Sequence, residues 1–158
     1  MSKYILLKMI YLADRESLKL RNCPITGDEP HSMQWGPVPG HIYDLTKGGI
    51  RHSDDWRTSI ATHGNRTMVL KSDPGRDDLS DKELAILDGV YEKFKGFDFG
   101  QMKNYCHALP EYDRSVGKGS RPIGIESLLR ILGKSPDEIQ VIADEEFESA
   151  RLNDAFRA

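Results

Sequence analysis

The sequence predicts a mainly α-helical protein: a compact, irregular helical domain with one small β-hairpin. Three observations carry this expectation. Apolar residues recur at three- and four-residue steps in several separate segments. Only one stretch, around His63-Gly64-Asn65, sets two short β-type runs about a turn. The helices so delimited are too unequal in length for a regular bundle.

Residues 3–21 read as the first helix, with Ile5, Leu6, Met9, Leu12, Ala13 and Leu18 on its apolar face and Lys8, Arg15, Glu16 and Lys19 off it. Cys23-Pro24-Ile25-Thr26-Gly27-Asp28 ends it, because Pro24 fixes φ and Gly27 tolerates φ > 0. Asp28 is placed to cap a short helix across Pro30 to Gln34. Gly36-Pro37-Val38-Pro39 reads as a stiff break, followed by a helix from His41 to Lys47 that stops at Gly48-Gly49. Trp56 to Ala61 and Arg66 to Lys71 form the hairpin, and Asp73-Pro74-Gly75 closes it. Ser80 and Glu83 make a capping box for a helix striped by Leu84, Leu87, Val90, Tyr91 and Phe94. Further helices follow from Phe99 to Leu109, from Gly124 to Leu132 after the loop Gly117-Lys118-Gly119, and from Ser135-Pro136 to about Leu152.

One domain spanning residues 1–158 is expected. The apolar content, with glycine added, is that of a folded chain rather than a disordered one. No apolar run approaches the roughly 18 residues of a membrane span. Lys and Arg total 22 against 25 Asp and Glu, a net charge of −3, which lacks the electrostatic footprint of a nucleic-acid binder. Two cysteines without a Cys-x-x-Cys, and no N-terminal apolar leader, point to free thiols and a cytoplasmic setting.

No strong catalytic or metal pattern is present. His31, His41, His52, His63 and His107 fall into no ligand pair of the usual spacing, so neither a metal nor a cofactor is expected. His63 reads as a turn residue and His52, beside Asp54 and Asp55, as a solvated loop. Cys106-His107 raises the question of a nucleophile with its base, but neighbours on a helix point about 100° apart. A hydrolase centred on His107 would need Cys106 and an acid such as Glu111 gathered in one pocket. Gly117-Lys118-Gly119-Ser120-Arg121 is not a P-loop, since Tyr112 and Gly119 stand where a glycine and a Ser or Thr are required. A nucleic-acid-binding regulator would use Lys118, Arg121 and Arg130. Met33-Gln34-Trp35-Gly36-Pro37-Val38-Pro39, with Ile42 and Tyr43, sets large apolar groups on proline-stiffened backbone, which makes either a core corner or a preorganised binding surface.

Lys8-Met9-Ile10-Tyr11-Leu12-Ala13-Asp14, then Ile25-Thr26-Gly27-Asp28, then Trp35-Gly36-Pro37-Val38 with Tyr43, resemble in order and spacing the Panacea domain of the SocA-like antitoxins. That family shows a K-L-x-Y-x-A-D helix, a connector ending in an acidic residue, and an aromatic-Gly-Pro-Val turn leading to a tyrosine-bearing helix. Leu79-Ser80 and His107 with Pro110-Glu111-Tyr112 are similar to its downstream helix and histidine-containing turn. The resemblance implies Tyr11, Asp14, Gly36, Pro37, Val38, Tyr43 and His107 as family-motif positions. It implies a non-catalytic module from a prokaryote, phage or mobile element that binds and neutralises the protein toxin encoded beside it. Some relatives look like adaptors that deliver the toxin to a protease, so a protease or chaperone is a further implied partner. Family members often carry another helix before the Lys8 motif, and the helix from Ser135 lies outside the shared pattern. Toxin contact is expected at Met33, Trp35, Pro37, Val38 and Tyr43, with Glu145 and Glu148 of the last helix beside them.

Overall fold

The computed structural model describes residues 1–48 and 54–157; Gly49 and His52 lie outside the described residues. The expected mainly helical class is observed. Helix α1 (Lys3–Arg21) is central, with every residue from Leu7 to Asp14 except the half-buried Ile10 fully buried. Strands β1 (Pro30–Met33) and β2 (Gly36–Pro39) follow and lead straight into the short α2 (Gly40–Leu45). Next come α3 (Asp54–Ser59), β3 (Ile60–His63), β4 (Thr67–Leu70), α4 (Asp81–Phe94) and α5 (Phe99–His107). A single 3₁₀ turn (Arg114–Val116) precedes β5 (Ser120–Pro122), α6 (Ile125–Ile131) and α7 (Pro136–Arg157).

Two small antiparallel sheets form where one hairpin was expected. β3 pairs with β4 as read from the sequence, although Trp56–Ser59 belongs to α3 and not to the first strand. The second sheet, in the order β2-β1-β5, corrects two expectations. Pro30 to Gln34 is no helix: β1 pairs with β2 from Pro30↔Pro39 to Met33↔Gly36, leaving Gln34-Trp35 as a two-residue turn. Pro37 and Pro39 fit because β2 is an edge strand, and Pro30 because it is the first residue of β1. Asp28 instead caps α2, accepting the backbone N–H groups of His41 and Ile42 at 2.9 and 2.8 Å. β5, hidden in what read as a loop, pairs Ser120, Arg121 and Pro122 with Met33, Ser32 and His31.

The core gathers side chains of α1, α4, α5, α6 and α7 around Tyr11, Phe94, Met102, Leu128 and Leu129. On α4 the buried positions are Ile86, Val90 and Phe94, one stripe at four-residue spacing, so Tyr91 faces solvent. α7 buries only Ile139 and Ile142 of its first turns; Phe147 and Leu152 stand exposed.

Candidate functional site

Three polar residues of α1, at spacings of three and all buried, each pin a different loop. Lys8, only 2% exposed, donates from Nζ to the carbonyls of Gly36 at 2.6 Å and Pro37 at 2.8 Å. Tyr11 donates from Oη to Glu111 at 2.7 Å, and Arg15 Nε donates to the same carboxylate oxygen at 2.6 Å. Asp14 accepts the N–H groups of Ile25 and Thr26 at 2.8 and 2.9 Å, together with the Thr26 hydroxyl. Burial of a polar group is costly unless it is hydrogen-bonded, and here the loops supply the partners. Reading Lys8 off the apolar face was therefore incorrect: α1 has no wet face at that turn. Burial pushes the Lys8 ammonium down to about 7, and pushes the Asp14 carboxyl up against the opposing pull of its hydrogen bonds.

The loop that Lys8 holds is the β1–β2 turn. Four successive carbonyls accept side-chain donors: Gln34 from Tyr112 Oη (3.1 Å), Trp35 from Tyr4 Oη (2.9 Å), and Gly36 and Pro37 from Lys8. A turn clamped this way has little freedom of its own. Gly36 adopts φ +106°, and a Cβ there would meet Cys106 Cβ at 2.7 Å. Hence the turn is pressed onto α5 at a contact that only glycine permits.

At its tip Trp35 is 45% exposed and packs edge-on to Phe99, with ring centroids 5.8 Å apart; Phe99 is 49% exposed and lies against Tyr4 at 4.6 Å. Met33, Trp35, Val38 and Tyr43 line one groove of about 260 Å³, with Lys3 and Lys118 on its rim. Lys103 Nζ lies 5.9 Å from the Trp35 ring. Four of the expected partner-contact residues thus share one concavity. Val38 is its buried floor, and Pro37, buried behind it, stiffens the backbone without reaching the surface. Glu145 and Glu148 are exposed on α7, which lines a different groove with Asp28 and Glu29; no described residue of α7 lines the Trp35 groove.

The other candidate centres are not assembled. Cys106 is 0% exposed, and burial pushes its thiol up to about 11. Glu111 is engaged by Tyr11 and Arg15. His107 stacks on Tyr112 at 4.4 Å and 12°, burial holds it below its ordinary pKa, and its Nε2 has no hydrogen-bond partner among the described residues. Arg121 is paired with Asp113, Lys118 lines the Trp35 groove and Arg130 lies in the last turn of α6. No group of three or more potential metal ligands occurs among the described residues, and no described helix is long and apolar enough to cross a membrane.

Sequence reasoning missed Tyr4, Phe99 and Lys103 around Trp35, and the roles of Glu111 and Tyr112. A signal for Phe99 was present: Asp98 and Gln101 form a capping box that starts α5 at this residue. The other contacts depend on chain segments far apart in sequence, which no local pattern encodes.

No curated protein and no solved structure matches the chain. The family model described as antitoxin SocA-like, Panacea domain, matches residues 6–112, from the start of α1 to the Glu111-Tyr112 clamp. With two thirds of its length matched, the chain belongs to the SocA-like antitoxin family and carries its Panacea domain.

Proposed function

We propose that this protein is the antitoxin of a toxin–antitoxin pair, a non-catalytic module that neutralises a cytoplasmic protein toxin by docking it on the face around Trp35. The observation that carries the reading is a solvent-facing Trp35–Phe99–Tyr4 stack mounted on a turn whose four carbonyls are all clamped. Rigid aromatic anchors lose little entropy on association, which is the economy that a small interface needs. Lys3, Lys103 and Lys118 surround the stack, so the toxin surface that meets it is acidic. The acidic α7 forms a second, separate area with Asp28 and Glu29, suited to a basic part of the same toxin or to a delivery protease.

The test is co-expression with the product of the adjoining open reading frame, scored for rescue of growth, followed by affinity measurements on purified proteins. Trp35→Ala and Phe99→Ala should each weaken the complex by about 2 kcal/mol or more while the melting transition stays near wild type. Folded variants that bind as wild type does would place the interface elsewhere.

A further inference from the structure

A groove lies on the face formed by α1 and α4, and the toxin-docking reading makes no use of it. Its volume is about 600 Å³ and its floor is apolar, built from Leu12, Ile86, Val90 and Phe94. Leu20, on its rim, is 62% exposed. Along α4 the groove is bordered by Lys82, Ala85, Gly89 and Lys93, which succeed one another at three- and four-residue steps on one stripe of the helix.

Gly89 is the informative residue. It sits in the interior of a helix, where glycine is disfavoured relative to alanine by backbone entropy. Its φ lies outside the left-handed range, and a Cβ built there meets nothing within 4 Å. Nothing inside this chain therefore needs a glycine at that position. What its missing side chain does is keep the middle of the groove open and let another backbone approach α4 closely.

The charges flanking that gap are ordered. Lys82 and Lys93 are eleven residues apart, which is three helical turns or about 16 Å. Lys82 has no ion pair among the described residues, and Lys93, which donates to the Tyr105 hydroxyl at 3.2 Å and lies 5.1 Å from the Phe94 and Tyr105 ring centroids, has no carboxylate partner among them. Arg15 and Arg21, on the α1 side, are already matched by Glu111 and Glu83. The groove is thus apolar and open in its middle, with Glu16 as the one carboxylate lining its α1 wall and an ammonium that faces no carboxylate at each end of its α4 wall.

We infer that the α1–α4 groove docks an amphipathic helix of a partner protein, its apolar stripe over Gly89 and a carboxylate at each end facing Lys82 and Lys93. The chain's own α7 is the wrong complement for this in a second copy. Its exposed stripe runs Val141, Glu145, Glu148, Leu152, with acids in the middle and apolar groups at the ends. Helix-in-groove recognition places apolar anchors at three- and four-residue steps, and charged groups at the ends set register and orientation.

The test uses the full chain and a fluorescein-labelled helical peptide of about fifteen residues. It carries two leucines on one stripe between two glutamates three turns apart, and a second peptide has lysines in place of the glutamates. Fluorescence anisotropy should show saturable, salt-sensitive binding of the glutamate peptide to wild type. Gly89→Phe and the double variant Lys82→Glu/Lys93→Glu should each weaken it by about tenfold or more, and the lysine peptide should bind only the double variant. Gly89→Ala should raise the melting temperature, which shows that the glycine is not retained for stability. Failure of the glutamate peptide to bind wild type, equal binding of both peptides, or undiminished binding to a folded Gly89→Phe would overturn the inference. The assay contains no toxin, so its outcome is independent of the Trp35 reading.

Discussion

At the residue scale, Lys8 concentrates the most physics in one side chain. It is an ammonium buried with two carbonyls and no carboxylate, and in the folded state it is held near 7 against an ordinary value of 10.5. A lysine whose folded value is depressed binds fewer protons folded than unfolded between those limits, so stability rises with pH there. Cys106, Tyr4 and Tyr11 are all pushed up by burial and act in the opposite sense as their unfolded forms ionise, the thiol first, from about 8. His107, held below its ordinary value by burial, acts in the same sense as Lys8, with most of its effect below pH 7. Between pH 7 and 8.5 the Lys8 effect is the largest of these and should raise the unfolding free energy by about 1–2 kcal/mol. Urea titrations at the two pH values should show the gain in wild type and little of it in Lys8→Met. Gly36 makes the second prediction at this scale. With φ +106° and Cys106 Cβ 2.7 Å from the place a Cβ would occupy, Gly36→Ala should cost more than the roughly 1 kcal/mol of an ordinary glycine change. A melting curve superimposable on wild type would show that the turn does not need its contact with α5. Gly36 was singled out through the resemblance of Trp35-Gly36-Pro37-Val38 to the family's turn. The burial of Lys8 was not legible, because a lysine reads as solvent-facing until the carbonyls that receive it are known.

At the element scale, the amphipathic helices were read well and the strands poorly. Capping signals and apolar periodicity are local, and they located α1, α4, α6 and the start of α7. β1, β2 and β5 are three or four residues long and rich in proline, so they carry no alternation to detect, and β5 exists only because β1 offers it an edge. The same locality underlies a prediction for α5. Asp98 accepts the Gln101 N–H at 2.8 Å, while the Gln101 side chain accepts the Asp98 N–H at 3.0 Å, and Phe99 is the first residue of the helix they start. Asp98→Ala should destabilise the protein by about 1 kcal/mol and, by loosening the first turn, lower toxin affinity although residue 98 touches no partner. Calorimetry of unfolding alongside titration with toxin would check both effects.

At the scale of the whole molecule, the Trp35 groove and the acidic α7 lie in separate grooves, linked by Asp28 and Glu29 and by the neighbouring hollow where Met33 and Tyr43 recur. The expectation that Glu145 and Glu148 stand beside Trp35 rested on composition, which fixes no relative position. Reversing the charges of Glu145 and Glu148 should mainly slow toxin association and change its salt dependence, and its free-energy effect should add to that of Trp35→Ala, since distant sites without shared partners are independent. Stopped-flow association rates at two salt concentrations for the single and combined variants would test this.

The clamp on the Trp35 turn also has a consequence in time. Tyr11 and Glu111 meet across 100 residues of chain, and the sheet under the turn is completed only by Ser120–Pro122. During synthesis, α1 and the β1–β2 turn leave the ribosome long before Tyr112, Glu111 and β5 exist to hold them. At about 5–20 residues per second, the binding face stays unformed for several seconds after its own residues have emerged. On the proposed function, toxin docking therefore waits for residue 122 to emerge, and a chain ending before it lacks the strand that completes the sheet under the turn.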